Sequence, residues 1–160
     1  MAYNPNGFNT NKSRDLNHLH PKVKELAENF LVQANAYLAR KGYQVKVIST
    51  LRNNKEQADL YAQGRTKPGK IVTNAGPGKS VHNFGCAFDI GIFRDGIYNP
   101  PDAEKYYTEL SKIGKTLGLE WGGDWVSIKD RPHYQFTGKY SNSEFLRLAN
   151  NGVSIDELLK

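Results

Sequence analysis

The alternation over residues 86–93 constrains this chain more than any other feature. Cys86, Phe88, Ile90 and Ile92 fall on one face of an extended segment, and Ala87, Asp89 and Gly91 fall on the other. A strand with this pattern buries one face and turns a carboxylate, Asp89, away from the apolar side. Just before it, Ser80-Val81-His82-Asn83-Phe84-Gly85 has the composition of a turn, and Gly85 is where the chain can bend. A histidine in a turn and a carboxylate on the following strand are therefore able to converge on one point.

The flanking segments have their own periodicities. Val23, Leu26, Phe30, Ala34, Tyr37 and Leu38 recur at spacings of three and four, which predicts an amphipathic helix over 21–40, with Pro21 in its first turn and Gly42 as its stop. Residues 45–49 alternate and are rich in β-branched side chains, as a strand requires. A short helix over 54–63 stops at Gly64. Residues 65–79 then hold Pro68, Gly69, Gly76, Pro77 and Gly78, the composition of a long exposed loop. Asp95-Gly96 marks a turn, and Pro101 and Asp102 open a second helix carrying Tyr106, Leu110, Ile113 and Leu117, which Gly118 closes. Short strands are expected over 119–121 and 133–136. Ser141 with Glu144 and Ser154 with Glu157 are capping-box pairs, so the tail over 139–160 reads as two short helices. Residues 1–17 lack apolar periodicity and read as an irregular arm. The expected fold class is α+β: one domain over 1–160, with an antiparallel sheet and flanking helices.

Composition narrows the chemistry. Cys86 is the only cysteine in 160 residues, so an intrachain disulfide and a Cys-rich zinc site are both excluded. Any metal must be held by histidine and carboxylate. No run approaches the roughly 18 consecutive apolar residues of a membrane helix, and the first residues have no apolar core of a secretion signal. A soluble protein without a signal peptide, and with no membrane insertion, is expected. Lys and Arg number 22 against 16 Asp and Glu, a net charge of +6 that favours encounter with a polyanion. The basic residues are scattered, as Lys22/Lys24, Arg40/Lys41 and Lys129/Arg131 show. That pattern argues against a dedicated nucleic-acid face.

His133, at the head of its candidate strand, completes with His82 and Asp89 a triad of nitrogen and oxygen donors suited to zinc, leaving a fourth position for water. Asp130 lies three residues before His133, within reach of such a water, as a general base requires. Amide hydrolysis is the natural reaction class. Arg52, after the first strand, is the candidate cation for the developing oxyanion. Ser80 is a candidate for binding substrate.

Each residue also has a plainer reading. Isolated His and Asp residues are more often structural, and an arginine at a strand end commonly pairs with a surface carboxylate. Gly78-Lys79-Ser80 resembles the end of a phosphate loop, yet Thr73 stands where that loop needs a glycine. His18 and His20, near a helix start, read as exposed or capping residues, and Cys86 reads as a small buried side chain. Trp121 and Trp125 suit a cleft wall or a core equally, and Asp124 suits a turn slightly better than a role beside the metal. Tyr134 and Phe136, alternating with His133, face the core.

Three blocks together resemble a known family: Ser80-x-His82-x-x-Gly85-x-Ala87-x-Asp89, then Trp121-Gly122-Gly123-Asp124-Trp125, then Asp130-x-Pro132-His133-Tyr134-Gln135-Phe136. They look like the zinc peptidases of the D-alanyl-D-alanine carboxypeptidase superfamily, and most like its L-alanyl-D-glutamate endopeptidases, which include phage endolysins. The resemblance runs over about residues 45–136. It implies one Zn2+ held by His82, Asp89 and His133, with Asp130 as catalytic base and with Arg52 and Ser80 positioning substrate and stabilising charge. Many relatives carry glutamate where this chain has Asp130, which is one methylene shorter, so the base must sit closer to the water. Aspartate occurs at this position among the endopeptidases and supports that branch.

The resemblance implies a substrate, the peptidoglycan stem peptide cut between L-Ala and D-Glu, and a compact monomeric lysin without a separate wall-binding domain. Such a lysin is made in the host cytoplasm and reaches the wall after a membrane pore releases it. The alternatives are a D,D-carboxypeptidase that removes terminal D-Ala and a non-catalytic zinc-containing binding module. Asp130 argues against the module, which has no use for a base beside the metal.

Overall fold

The computed structural model describes residues 2–160. Its framework is an antiparallel sheet of β1 (Gln44–Ser49), β2 (Ala87–Arg94), β3 (Ile97–Tyr98), β4 (Glu120–Trp121) and β5 (His133–Gln135). The strand order is β1-β2-β5-β4, with β3 folded back on β2. The helices are α1 (Pro21–Leu38), α2 (Asn54–Ala62), α3 (Glu104–Thr116), α4 (Asn142–Asn150) and α5 (Ile155–Leu158). This is the α+β class expected from the sequence.

α1 forms where its apolar spacing places it, and both ends have a local cause. The His20 ring accepts a hydrogen bond from the Lys22 N–H, and Pro21 occupies the first turn, where no N–H is needed. A 3-10 turn over Ala39–Lys41 and Gly42, at φ +80°, end the helix. Val23, Ala27, Phe30, Ala34 and Leu38 face the sheet and are fully buried. Asn35 locks helix to strand: its Oδ1 accepts from the Val45 N–H at 2.8 Å, and its Nδ2 donates to the Val45 carbonyl at 3.0 Å.

The core lies between the helices and one face of the sheet. Phe88 and Tyr134 stack at 5.7 Å, and the Phe30 ring lies 4.7 Å from Tyr134. Burying a side chain of this size contributes about 1.5–3 kcal/mol. α3 approaches the sheet at Gly114, where an added Cβ would stand 2.4 Å from the Tyr134 ring. Phe136 is half-buried against the same core. On β2, Phe88, Ile90 and Ile92 point into the core and Asp89 points away from it, as the alternation requires. The two-residue Asp95-Gly96 turn has both φ values positive, at 51° and 78°, the geometry that suits a twisted hairpin.

The arm before α1 contains 3-10 turns at Pro5–Gly7 and Leu16–His18 and is tied across the molecule. The Tyr3 N–H donates to Asp156 near the end of the chain, and the Thr50 N–H donates to the Ser13 carbonyl. The tail helices α4 and α5 start at Ser141 and Ser154, whose hydroxyls accept from the Glu144 and Glu157 N–H groups. Phe145 and Leu158 anchor these helices in the core. Among the described residues, no helix is long and apolar enough to cross a membrane.

Candidate metal centre

The uncovered face of the sheet carries the candidate residues. His82 sits in a 3-10 turn, Val81–Phe84, which is capped by the Ser80 hydroxyl and closed by Gly85 at φ +70°. An added Cβ at Gly85 would also lie 1.7 Å from the Tyr3 hydroxyl, so both the backbone conformation and the close approach require glycine. Asp89 on β2 and His133 on β5 are direct partners across the ladder, so strand register alone brings them together. A bulge in β1 between Val47 and Ser49 sets Ser49 opposite Asp89 and steers the chain past His82. There the Thr50 carbonyl accepts from His82 Nδ1 at 2.7 Å, and the Arg52 N–H donates to the His82 carbonyl.

Three donor atoms result. His82 Nε2 and His133 Nδ1 are 3.2 Å apart, and Asp89 Oδ1 lies 3.2 Å from the first and 3.1 Å from the second. A tetrahedral zinc site with bonds near 2.0 Å has ligand-to-ligand edges of about 3.3 Å, so this triangle matches one face of such a site. Two imidazoles and a carboxylate are a donor set that zinc accepts. The Thr50 carbonyl can only accept, which keeps the His82 proton on Nδ1 and turns the Nε2 lone pair into the triangle.

The electrostatics suit a cation. Burial raises the Asp89 carboxyl, but His82 and His133 outweigh it and hold Asp89 well below the usual carboxylate range. Burial pushes His82 down, whereas at His133 the hydrogen bond and charge of Asp89 outweigh burial and raise it. Asp130 is raised by its own burial and by the neighbouring Asp89 charge. Its carboxylate lies 3.9 Å from His133 Nδ1, at the mouth of the site.

Asp130 is placed by the Trp-Gly-Gly segment. The Asp130 N–H donates to the Gly122 carbonyl, and the His133 N–H donates back to the Asp130 carbonyl. A Cβ at Gly122 would stand 2.4 Å from the Asp130 carbonyl oxygen, so only glycine lets the two segments pass. The two tryptophans divide the roles left open above. Trp121 is 6% exposed, with its indole N–H on the Arg131 carbonyl, whereas Trp125 lies over the His133 ring at 4.9 Å and walls the cleft.

Among the described residues, Arg52 pairs with Asp89 at 3.7 Å and with no surface carboxylate. Its guanidinium is held from behind by Gln57 Oε1 at 2.9 Å and by the Ser49 hydroxyl. Gln57 is fully buried and donates onward to the Ala75 carbonyl, which ties the arginine to the wall of the cleft. Sequence reading passed over Gln57, because a glutamine in a short helix gives no signal of its partners. Ser80 lines the cleft, but its hydroxyl oxygen accepts from the His82 N–H, so it builds the turn as well as facing the cavity.

The remaining candidates lie elsewhere. His18 bonds Ser13 and His20 bonds Asp156, away from the triangle. Asp124 pairs with Lys115 on α3. Cys86 is buried, and burial pushes its thiol up, so it is no nucleophile. The triangle lies in a cleft of about 1050 Å³ lined by Tyr61, Val72, Ser80, Glu120, Trp125 and Ile128.

A family model described as D-alanyl-D-alanine carboxypeptidase matches residues 73–136, which contain the whole triangle and Asp130. The chain is 41% identical over 128 residues to the peptidoglycan L-alanyl-D-glutamate endopeptidase CwlK of Bacillus subtilis (strain 168), covering 73% of this chain and 72% of that protein. This chain belongs to the D-alanyl-D-alanine carboxypeptidase family of metallopeptidases. A second relative within reach of this family is the L-alanyl-D-glutamate peptidase of Listeria phage A118, 29% identical over 141 residues, or 82% of this chain and 46% of that protein. The family fold recurs in the crystal structure of the L-Ala D-Glu endopeptidase ChiX of Serratia marcescens. That match has a TM-score of 0.53 at 22% identity and covers 79% of this chain and 89% of the other.

Proposed function

We propose that this chain is a zinc-dependent endopeptidase that cleaves the L-Ala/D-Glu amide bond of peptidoglycan stem peptides. The observation that carries the reading is the His82, Asp89 and His133 triangle beside Asp130, in a chain 41% identical to an enzyme named for that cleavage. When bound, zinc supplies a Lewis acid and a water whose pKa falls to about 7. Asp130, with its carboxyl raised and its side chain open to the cleft, takes up a proton at its carboxylate and passes it to the leaving amine. Arg52 is fixed by Gln57 and Ser49 and sets a positive charge where the attacked carbonyl oxygen becomes negative. Ser80 and Trp125 line the approach and orient the peptide.

The net charge of +6 suits an acidic wall polymer. The phage relative supports the further reading of a lysin, and we propose that this lysin acts as a monomer on the wall after release through a membrane pore. The test is mass spectrometry of fragments released from purified sacculi, with a chelated sample re-supplied with zinc. Zinc-dependent release with D-Glu as the new amino terminus is expected. Release of single D-Ala residues would move the assignment to a D,D-carboxypeptidase, and no cleavage at all would leave a binding module.

A further inference from the structure

The two imidazoles of the site are oriented by different means. His82 donates to the Thr50 carbonyl, a backbone acceptor whose polarity no substitution alters. His133 Nε2 instead lies 2.8 Å from Oε1 of Gln135, a side chain on the same strand that is only 2% exposed. A primary amide has an accepting end and a donating end, so by itself it serves either histidine tautomer.

The far end of the amide removes that ambiguity. Gln135 Nε2 donates to the Glu120 carboxylate and, at 3.0 Å, to Asn142 Oδ1 at the start of α4. Glu120 stands directly across the ladder from Gln135, so the pairing of β4 with β5 aims both side chains to the same face. An ionised carboxylate only accepts, so the amide NH2 must face Glu120 and the amide oxygen must face His133. That oxygen in turn only accepts, so the neutral His133 ring, the form that can bind a metal, carries its proton on Nε2. The Nδ1 lone pair is then left facing Asp89 and His82. Reversed polarity would put the proton on Nδ1 and block that position.

We propose that Glu120 and Gln135 form a positioning chain that sets the tautomer of His133 and, through it, the affinity of the site for zinc. The proposal rests on the reading of His133 as a zinc ligand. Partners of this kind behind a metal-bound histidine typically govern 10–100-fold in metal affinity.

The test is zinc affinity by competition with a chromophoric chelator, alongside the melting temperature of each metal-free protein as a check on folding. Gln135→Leu removes the acceptor and is expected to weaken zinc binding by about 10–100-fold. Gln135→Glu combined with Glu120→Gln, in which the new carboxylate still accepts from His133 Nε2 and the new amide donates to it across the ladder, is expected to restore most of that loss. Glu120→Leu, on the exposed rim, is expected to weaken binding by a smaller factor. Unchanged affinity in Gln135→Leu or in Glu120→Leu would overturn the proposal, and so would equal losses in Gln135→Leu and in the Gln135→Glu/Glu120→Gln exchange. His133→Ala tests the underlying reading separately. If that variant keeps zinc, the ligand assignment fails, whereas loss of zinc there with full affinity in Gln135→Leu refutes the positioning chain alone.

Discussion

At the scale of single residues, the three donor atoms lie apart from the two charged groups proposed to act on substrate. Asp130 and Arg52 stand outside the donor triangle: the Asp130 carboxylate is 3.9 Å from His133, and Arg52 touches Asp89 only through its outer oxygen. Asp130→Asn and Arg52→Ala are therefore both expected to retain zinc by metal analysis while losing at least about 100-fold in kcat on a stem-peptide substrate. Normal turnover in either variant would remove that residue from the mechanism. A glycine-bounded turn, an alternating strand and a second strand head showed that His82, Asp89 and His133 could meet, and the resemblance of the three sequence blocks to the zinc peptidases singled them out as a set. Gln57 and Gln135 were not legible. Both are neutral amides whose importance comes from what each of their two ends faces, and that is settled by segments distant in sequence.

At the scale of elements, the 3-10 turn that carries His82 depends on its closing residue. Gly85 adopts φ +70° and packs its missing Cβ position against the Tyr3 hydroxyl, which in turn donates to the His18 carbonyl. Gly85→Ala is expected to destabilise the fold by at least about 1 kcal/mol from the backbone term alone. Zinc affinity should fall with it, because the turn cannot relax without moving His82. Urea unfolding of the metal-free protein and chelator competition measure the two effects. Helix and strand positions were largely visible in the periodicity, and the ends moved by two or three residues where 3-10 turns finish α1 and open α3. The bulge in β1 was invisible, since nothing in residues 45–49 shows that Ser49 must slip to face Asp89.

At the scale of the whole molecule, the arm and the tail close on each other behind the site. Asp156 receives the Tyr3 N–H and His20 Nε2, and these bonds lower its carboxyl below the ordinary value. A carboxyl lowered by folding adds stability above about pH 4 that fades as pH falls through the lowered value. The melting temperature of Asp156→Asn should therefore lie below that of the parent at pH 7, and the gap should narrow at pH 3. A constant gap would show that the carboxylate charge has no part in the clasp. The sequence by itself determined the element types, the polarity of β2, the absence of disulfide chemistry and the donor types available to a metal, because these follow from local periodicity and composition. Only the tertiary structure decided which tryptophan lines the cleft, what holds Arg52, and which nitrogen of His133 faces His82 and Asp89. Those are matters of register and of hydrogen-bond polarity between strands, and a one-dimensional pattern carries neither.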